Sequence, residues 1–560
     1  MTEPAKLHAN EAIKEKSRGL RGSLAAELKS GESGLSADGQ QLIKFHGLYQ
    51  QYDREKIGPV KDRAHTFMLR GRIPGGRLSA AQYLMWDGLA DEFGGQTLRL
   101  TTRQSLQLYG LLKGDLKRVI QRIWDHALST QGACGDIVRN VTQAANPWGR
   151  PDLAQLDPVA ARLSNHFIAK SAAYLETWID GEPVTPPNQV EADPIYGKTY
   201  LPRKFKIAVT LAGNNSVDLY TNDLAFAATL AGDGRIGGYH VFVGGGLGTT
   251  HNKPETFPRK ADHLGWIPAN HLLPVAEAVV TAHRDFGDRS DRKHARLKYV
   301  LHEKGVDWFR SEVSQRAHVF FEPRLLPPWN TPSYLGWQKM VNGNLALGFH
   351  LLSGRLRDEK GRPLKSAVAH LVREFRLPVQ LTSDQDLIFL DIPPHRKGEI
   401  ETYLAARGLS PDAPTKVHER AMACPALPTC SLAITEAERF LPKFLSEVDA
   451  LLAKHGLQDR APVLRMTGCP NGCARPYTAE IGLVGQQAGG KYALYVGGDH
   501  EGTRLAFPLA DKLPLDEIKR MLDGLFAAWK SEGAEQERFG SYAARLSAEA
   551  LRAKLSIANS

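Results

Sequence analysis

The sequence predicts an α+β fold made by internal duplication, with the copies related by a pseudo-twofold axis. Two observations carry that prediction. A strand, turn, helix, strand order that starts at Phe67 returns at Asn344, and two stretches of the first half match two stretches of the second in the same order. A third observation says where chemistry sits. The copies differ in charge, and four of the five cysteines fall in two tight loops near the C-terminal end.

Bulk properties bound the rest. The 560 residues exceed one ordinary domain and point to three or four. With 42% hydrophobic and 24% charged residues, sizeable cores are feasible in a water-soluble chain. The N-terminus is polar without an apolar signal region, and no apolar run reaches the ~18 residues of a membrane span. The expected location is the cytoplasm, where disulfides are disfavoured. The net charge of +10 fits a solvated surface, an anionic substrate, an acidic protein partner or nucleic acid. Without a Lys/Arg block, zinc-finger spacing or an RNA-binding aromatic signature, nucleic acid is not expected as the main partner.

Taken in order, residues 1–66 read as a polar, helical lead-in that ends in a more structured Phe45–Gln51. Phe67–Ile73 reads as a strand closed by Pro74-Gly75-Gly76. Ser79 caps a helix through Tyr83, Leu84, Trp86 and Leu89 to Phe93, which Gly94-Gly95 ends. Thr97–Tyr109 is strand-like, and a helix spans about Leu116–Ser129. In the second half Asn344–Leu352 is a strand, followed by a helix over about Ser366–Phe375 and another strand. Leu100, Thr101, Gln104 and Leu106 recur as Leu381, Thr382, Gln385 and Leu387, and Tyr239–Gly245 resembles Tyr492–Gly498. Such long periods mean domain duplication rather than a repeat array. Arg99 and Arg103 become Gln380 and Asp384, so one copy keeps a cationic site that the other has lost.

Tyr200–Thr210 runs into a strand that puts Lys204 and Lys206 on one face and Arg203 on the other. The plain reading is an exposed lysine face. Gly232–Gly237 matches G-x-G-x-x-G formally, but a short strand-like stretch follows where the dinucleotide fingerprint needs a helix, so Asp233-Gly234 is a hairpin turn. The chain has no P-loop.

Cys424-Pro-Ala-Leu-Pro-Thr-Cys430 and, after 38 residues, Cys469-Pro-Asn-Gly-Cys473 each present two thiols on a tight loop. Between them Phe440, Phe444, Leu445, Val448, Leu451 and Leu452 recur at helical spacing behind a Thr435-x-x-Glu438 capping box, and Pro442 either opens the main helix or kinks it. Structural zinc commonly uses gaps of about two to four residues; the second loop fits and the first does not. An iron–sulfur cluster tolerates varied spacing. Spacing alone leaves a 4Fe–4S cluster, zinc, disulfides and unliganded thiols open.

Cys424-x5-Cys430, Thr467-Gly-Cys-Pro-Asn-Gly-Cys473, Arg99-Leu-Thr-Thr-Arg103, Arg139-Asn140 and Leu201-Pro-Arg-Lys-Phe-Lys206 together resemble the sirohaem-containing sulfite and nitrite reductases. The resemblance runs from about residue 45 to about 540, and it is strongest to the haemoprotein (beta) subunits of assimilatory NADPH-dependent sulfite reductases. It implies an N-terminal extension at 1–66, ferredoxin-like half-repeats at 67–131 and 336–411, and larger cofactor-binding domains at 132–335 and 412–560. It implies one 4Fe–4S cluster on Cys424, Cys430, Cys469 and Cys473, with Cys473 also the axial ligand of one sirohaem. The implied reaction is the six-electron reduction of sulfite to sulfide, in sulfate assimilation and cysteine biosynthesis. Arg70, Arg139, Lys204 and Lys206 map onto the substrate-binding cations. Arg99, Arg103 and Arg203 map onto residues that pair with sirohaem carboxylates, and Asn471 onto the proximal loop. Much of the basic charge then faces the cofactor's own carboxylates. Electrons are expected from a separate donor, an NADPH-dependent flavoprotein or a ferredoxin.

Nitrite reductases of this family typically carry asparagine where Lys206 stands. Nitrite is a monoanion and sulfite largely a dianion near neutral pH, so the extra cation points to sulfite. Nitrite reduction to ammonia is the alternative, and the retained cations argue against a cluster- or zinc-stabilised binding protein. Three departures from relatives stand out. Arg296 replaces a lysine near the cofactor, Tyr109 replaces a histidine, and Cys134 stands where some relatives cross-link a cysteine to a tyrosine matched here by Tyr49.

Overall fold

The computed structural model describes residues 6–55, 64–171, 178–179, 182–183 and 192–558. The first matched stretch folds as a hairpin rather than the single strand expected over Thr97–Tyr109. Its strands are Leu98–Leu100 and Leu106–Leu111, paired antiparallel. The reversal is local. Gln104 takes a left-handed φ of 50°, and the turn closes through Gln104 N to Thr101 O and Thr101 N to Ser105 O, both 2.9 Å. The second copy repeats this with Val379–Leu381 and Leu387–Ile392, Gln385 at φ 73°, and Thr382 N to Asp386 O at 2.9 Å.

The three residue types shared at four positions of the copies now have separate jobs. Leu100, Leu106, Leu381 and Leu387 are fully buried. The threonines close the turns. The glutamines cross between copies: Gln104 Nε2 donates to Leu381 O, and Gln385 Nε2 to Leu100 O, each at 2.9 Å. The crossing extends to the sheets. One runs Leu48–Gln51, Thr66–Arg70, Leu106–Leu111, Leu98–Leu100 and ends on Arg355–Leu356 from the second copy. The other runs Gly336–Lys339, Leu345–Phe349, Leu387–Ile392, Val379–Leu381 and ends on Arg77–Leu78 from the first. Only glycine permits this approach. A Cβ on Gly76 would lie 2.7 Å from Leu381 O, and one on Gly354 would press on Leu100 O.

Two further sheets share one topology. Thr142–Gln143, Ile207–Leu211 and Leu224–Leu230 run parallel, then Ile236–Val243 and Asp262–Pro268 antiparallel. Met422–Ala423, Leu464–Thr467 and Ile481–Gln487 run parallel, then Lys491–Val496 and Phe507–Pro514 antiparallel. The second matched pair supplies the fourth strand of each. Asp233-Gly234 turns the expected hairpin, with Gly234 at φ 78°.

Helix Ala80–Glu92 starts with the expected Ser79 cap, closed into a capping box by Gln82. The helix expected to reach Ser129 stops at Asp125. The helix between the cysteine loops is Leu441–Lys454, so Pro442 sits in its first turn, where a missing N–H costs nothing. The Thr435–Glu438 capping box does not form, because the helix starts at Leu441 behind Phe440, and the Glu438 carboxylate instead meets Arg99 and Arg355. The lead-in contributes helices Ala9–Lys16, Leu24–Lys29 and Ala37–Leu42 before strand Leu48–Gln51. Among the described residues no helix is long and apolar enough to cross a membrane.

The inter-copy glutamines are not equal. Gln104 also pairs with both backbone groups of Gln143, at 2.8 Å each. Gln104→Ala should therefore destabilise by about 3 kcal/mol, and by more than Gln385→Ala, since each buried partner left unpaired costs ~1–3 kcal/mol. Thermal unfolding of the two variants side by side checks the order.

Candidate active site

Parallel pairing brings the four thiols together. Ala423 lies opposite Met466, so the chain leaves both strands at the same sheet edge and the two cysteine loops emerge side by side. Gly468 N donates to Cys424 Sγ at 3.3 Å and Asn471 Nδ2 to Cys469 Sγ at 3.4 Å. Gly468 is required here, since a Cβ would lie 2.6 Å from both Ala426 Cβ and Thr435 O. Burial, then the neighbouring Cys473, pushes the Cys424 thiol up and the Cys469 thiol to about 12. Cys430 is raised by the same two causes. Thiols this mutually discouraged from ionising call for a cationic centre. Among the described residues no group of three or more His, Cys, Asp or Glu is placed to hold a metal ion. Four thiols on two neighbouring loops supply the all-sulfur donor set that a 4Fe–4S cluster takes.

The four thiols are not alike. Cys424 and Cys469 are buried, Cys430 is half-buried and Cys473 is exposed. Cys473 lies within electrostatic reach of Arg70, Lys204 and Lys206, which come from the other half of the chain.

Arg70 ends strand Thr66–Arg70. Its guanidinium is gripped by the Gln107 amide oxygen, at 3.2 Å from Nε and 2.7 Å from Nη2, while the same amide donates to the Tyr109 hydroxyl at 2.9 Å. Burial works against the Arg70 charge, but Cys134, Tyr49, Tyr109 and Cys473 outweigh it and raise its pKa. Tyr109 and Tyr49 therefore both belong to this corner, beside the buried free thiol of Cys134.

Arg139 and the two lysines ride on paired backbones. Arg139 N donates to Phe205 O at 2.8 Å, and Phe205 N to Ile137 O at 3.1 Å. The strand expected from Tyr200 begins only at Ile207, yet the alternation survives through a Val138–Phe205 bridge. Phe205 points inward, fully buried, and Lys204 and Lys206 point away from it. Burial, then Arg296 and Arg103, lowers Lys206 to about 7. Burial, then Arg203, Lys206 and Arg296, lowers Lys204 well below the usual lysine value. Among the described residues neither ammonium has a hydrogen-bond or ion-pair partner in the chain. Arg139 Nε and Nη1 donate to Gly135 O and Ala133 O at 2.8 and 3.2 Å.

Of the three arginines matched to cofactor carboxylates, Arg103 and Arg203 join this cluster. Burial lowers Arg103 to about 9, with Arg475, Arg139 and Arg70 adding to the effect against Asp223. Burial, then Arg292, lowers Arg203 to about 10. Arg103 donates to Asn222 Oδ1, Asn140 O and Ile207 O at 2.6 Å each, with its Nε buried and unpaired. Arg99 differs. It lies behind the Cys424 loop, donating to Ala423 O at 2.9 Å and ion-paired with Glu438, so its charge is matched within the chain. Asn471 serves the thiol loop, as described.

Sequence reasoning missed Asp223 and Lys44. Asp223 accepts from Lys206 N at 2.8 Å and forms a buried ion pair with Arg296 at 2.9 Å, which gives Arg296 a defined place. Its counterpart Glu480 accepts from Val463 N at 3.0 Å and pairs with Arg538 at 2.8 Å. The acid directly before a strand in both copies was the available signal, and it shows Val463 standing where Lys206 stands. Lys44, in the lead-in, is lowered to about 8 by burial, then Arg292.

An exposed thiol opposite unpaired, depressed cations fits a polycarboxylate macrocycle beside an iron–sulfur cluster, which would relieve both the crowded positive charge and the crowded thiols. The family model described as nitrite and sulphite reductase 4Fe-4S domain matches residues 160–320 and 419–559. The nitrite/sulfite reductase ferredoxin-like half domain matches residues 59–124. The chain is 43% identical over 548 residues to the NADPH sulfite reductase hemoprotein beta-component of Shewanella oneidensis, covering 97% of each. It is 42% identical over 568 residues to the ferredoxin sulfite reductase of Synechococcus elongatus, covering 98% of this chain and 91% of that one. Among solved structures it is similar to the Mycobacterium tuberculosis NirA protein, with TM-score 0.79, 26% identity and 98% of both chains covered. With matches of this kind along nearly its whole length, the chain belongs to the nitrite and sulphite reductase family.

Proposed function

We propose that this protein reduces sulfite to sulfide with six electrons, using one sirohaem and one 4Fe–4S cluster. The observation that carries the reading is the exposed Cys473 thiol within electrostatic reach of Arg70, Lys204 and Lys206. Cys424, Cys430, Cys469 and Cys473 would hold the cluster, and the exposed Cys473 would also be the thiol nearest the haem. When bound, the two groups supply the electrons and the iron that takes the sulfur of sulfite.

The chain's own residues handle the oxygens and the protons. Reduction of sulfite to hydrosulfide takes up seven protons and releases three waters. Arg70 is held by Gln107 and Arg139 by two backbone carbonyls, so both present fixed N–H groups to an oxyanion. Lys204 and Lys206, without a partner among the described residues, are the proton donors. An ammonium already depressed by its surroundings releases a proton readily at Nζ, where an oxygen departs as water. Arg103 and Arg203 would supply positive charge to the macrocycle's carboxylates. Arg99 acts from behind the cluster loop through Glu438.

The donor is a separate redox protein, and we assign it as an NADPH-dependent flavoprotein, with ferredoxin the alternative. Relatives of both kinds stand at 43% and 42% identity. The reading carries a cytoplasmic location and a role in sulfate assimilation for cysteine biosynthesis. Holoenzyme mixed with NADPH and a flavoprotein reductase should turn over sulfite at least tenfold faster than with reduced ferredoxin. The reverse order would reassign the donor.

Lys206 decides between sulfite and nitrite. Lys206→Asn should lower kcat/KM for sulfite at least tenfold, about 1.4 kcal/mol or more of transition-state stabilisation, while that for nitrite holds or rises. Steady-state rates on both anions check it, and an unchanged preference would remove the charge argument for sulfite.

A further inference from the structure

We infer that the N-terminal helix Ala9–Lys16 is part of the active-site scaffold, with Lys14 a positioning residue for the substrate-binding lysines. Three consecutive carbonyls, just before Arg203-Lys204-Phe205-Lys206, are each held by a different cation. Arg289 Nη2 donates to Tyr200 O at 2.7 Å, Lys14 Nζ to Leu201 O at 2.9 Å, and Arg292 Nη1 to Pro202 O at 3.4 Å. Two acids bind these cations together. Glu11 pairs with Lys14 and Arg289, and Asp136 pairs with Arg292 at 2.6 Å and Lys14 at 3.7 Å. Glu11, Lys14 and Asp136 are only 3%, 2% and 3% exposed.

Burying three charged side chains beside two half-buried arginines is expensive, and a surface helix does not need it. The cage makes sense through what it grips. Tyr200 holds a left-handed φ of 55°, a strained setting for a non-glycine residue, and fixing its carbonyl holds that conformation. Asp136 also ties the second cation-bearing loop. Its carbonyl accepts from Leu201 N at 3.1 Å, and Arg139 follows three residues later with its N–H on Phe205 O. One cage therefore sets the aim of Arg139, Lys204 and Lys206 together, and Lys14 and Glu11, from the far end of the chain, complete it. Lys14 touches no reacting atom.

The inference rests on Lys204 and Lys206 binding the anion, so Lys204→Met is the control. In Lys14→Met holoenzyme with normal haem and cluster content, the sulfite KM should rise at least fivefold, with kcat falling by a smaller factor because the same lysines release protons. Lys14→Arg should bring KM back to within twofold. Glu11→Gln removes one charge while keeping the shape, and it serves if Lys14→Met does not fold. It should raise KM two- to threefold and speed hydrogen exchange of the Lys204 and Lys206 amides. A normal KM in these variants, beside a raised KM in Lys204→Met, would overturn the positioning role. A normal KM in Lys204→Met itself would instead overturn the reading of the anion site.

Discussion

The reciprocal clasp between the two copies is what the rest of the molecule depends on. Gln104 and Gln385 each reach across to a backbone carbonyl of the opposite hairpin, and each copy lends an edge strand to the other's sheet. These are buried bonds to backbone, so neither copy can shift without leaving polar groups unpaired. The clasp fixes the first copy's cations against the second copy's thiols.

On that common frame the copies diverge by charge. The first holds Arg103, Lys206 and Asp223 where the second holds Asp384, Val463 and Glu480. In the second copy Asp384 closes an ion cluster, accepting from Arg475 at 2.9 Å and Arg420 at 3.3 Å. Asp218, from the first copy, meets Arg475 at 2.8 Å and Arg465 at 2.9 Å. The second copy's buried arginines are thus matched by acids, one of them lent by the first copy. Among the described residues the first leaves the half-buried Lys204 and Lys206 unpaired, which suits the anion site proposed for them.

Much of this was legible in the sequence because it is local or repeated. Ser79, the Asp233-Gly234 turn and the thiol loops announce themselves within a few residues. The matched Leu, Thr and Gln marked the clasp before its contacts were known, and the mismatch at Arg103 and Asp384 marked the site. What was not legible is long-range pairing. Thr101 and Gln104 were read as strand because alternation does not reveal a left-handed residue. Thr435–Glu438 looked like a capping box because nothing nearby betrays that Glu438 answers Arg99 and Arg355. The lead-in looked like polar helix because Glu11 and Lys14 find their partners near residues 136, 201 and 289. Cys473 stood apart only through its resemblance to a family; its exposure beside cations is a property of the fold.

The most direct measurement is the absorption and paramagnetic resonance spectrum of the purified protein, with metal analysis, before and after adding sulfite. One sirohaem and one 4Fe–4S cluster per chain are expected, with haem bands that move when sulfite binds. A colourless protein, or one holding zinc alone, would contradict a thiol shared between an electron store and a sulfite-binding haem.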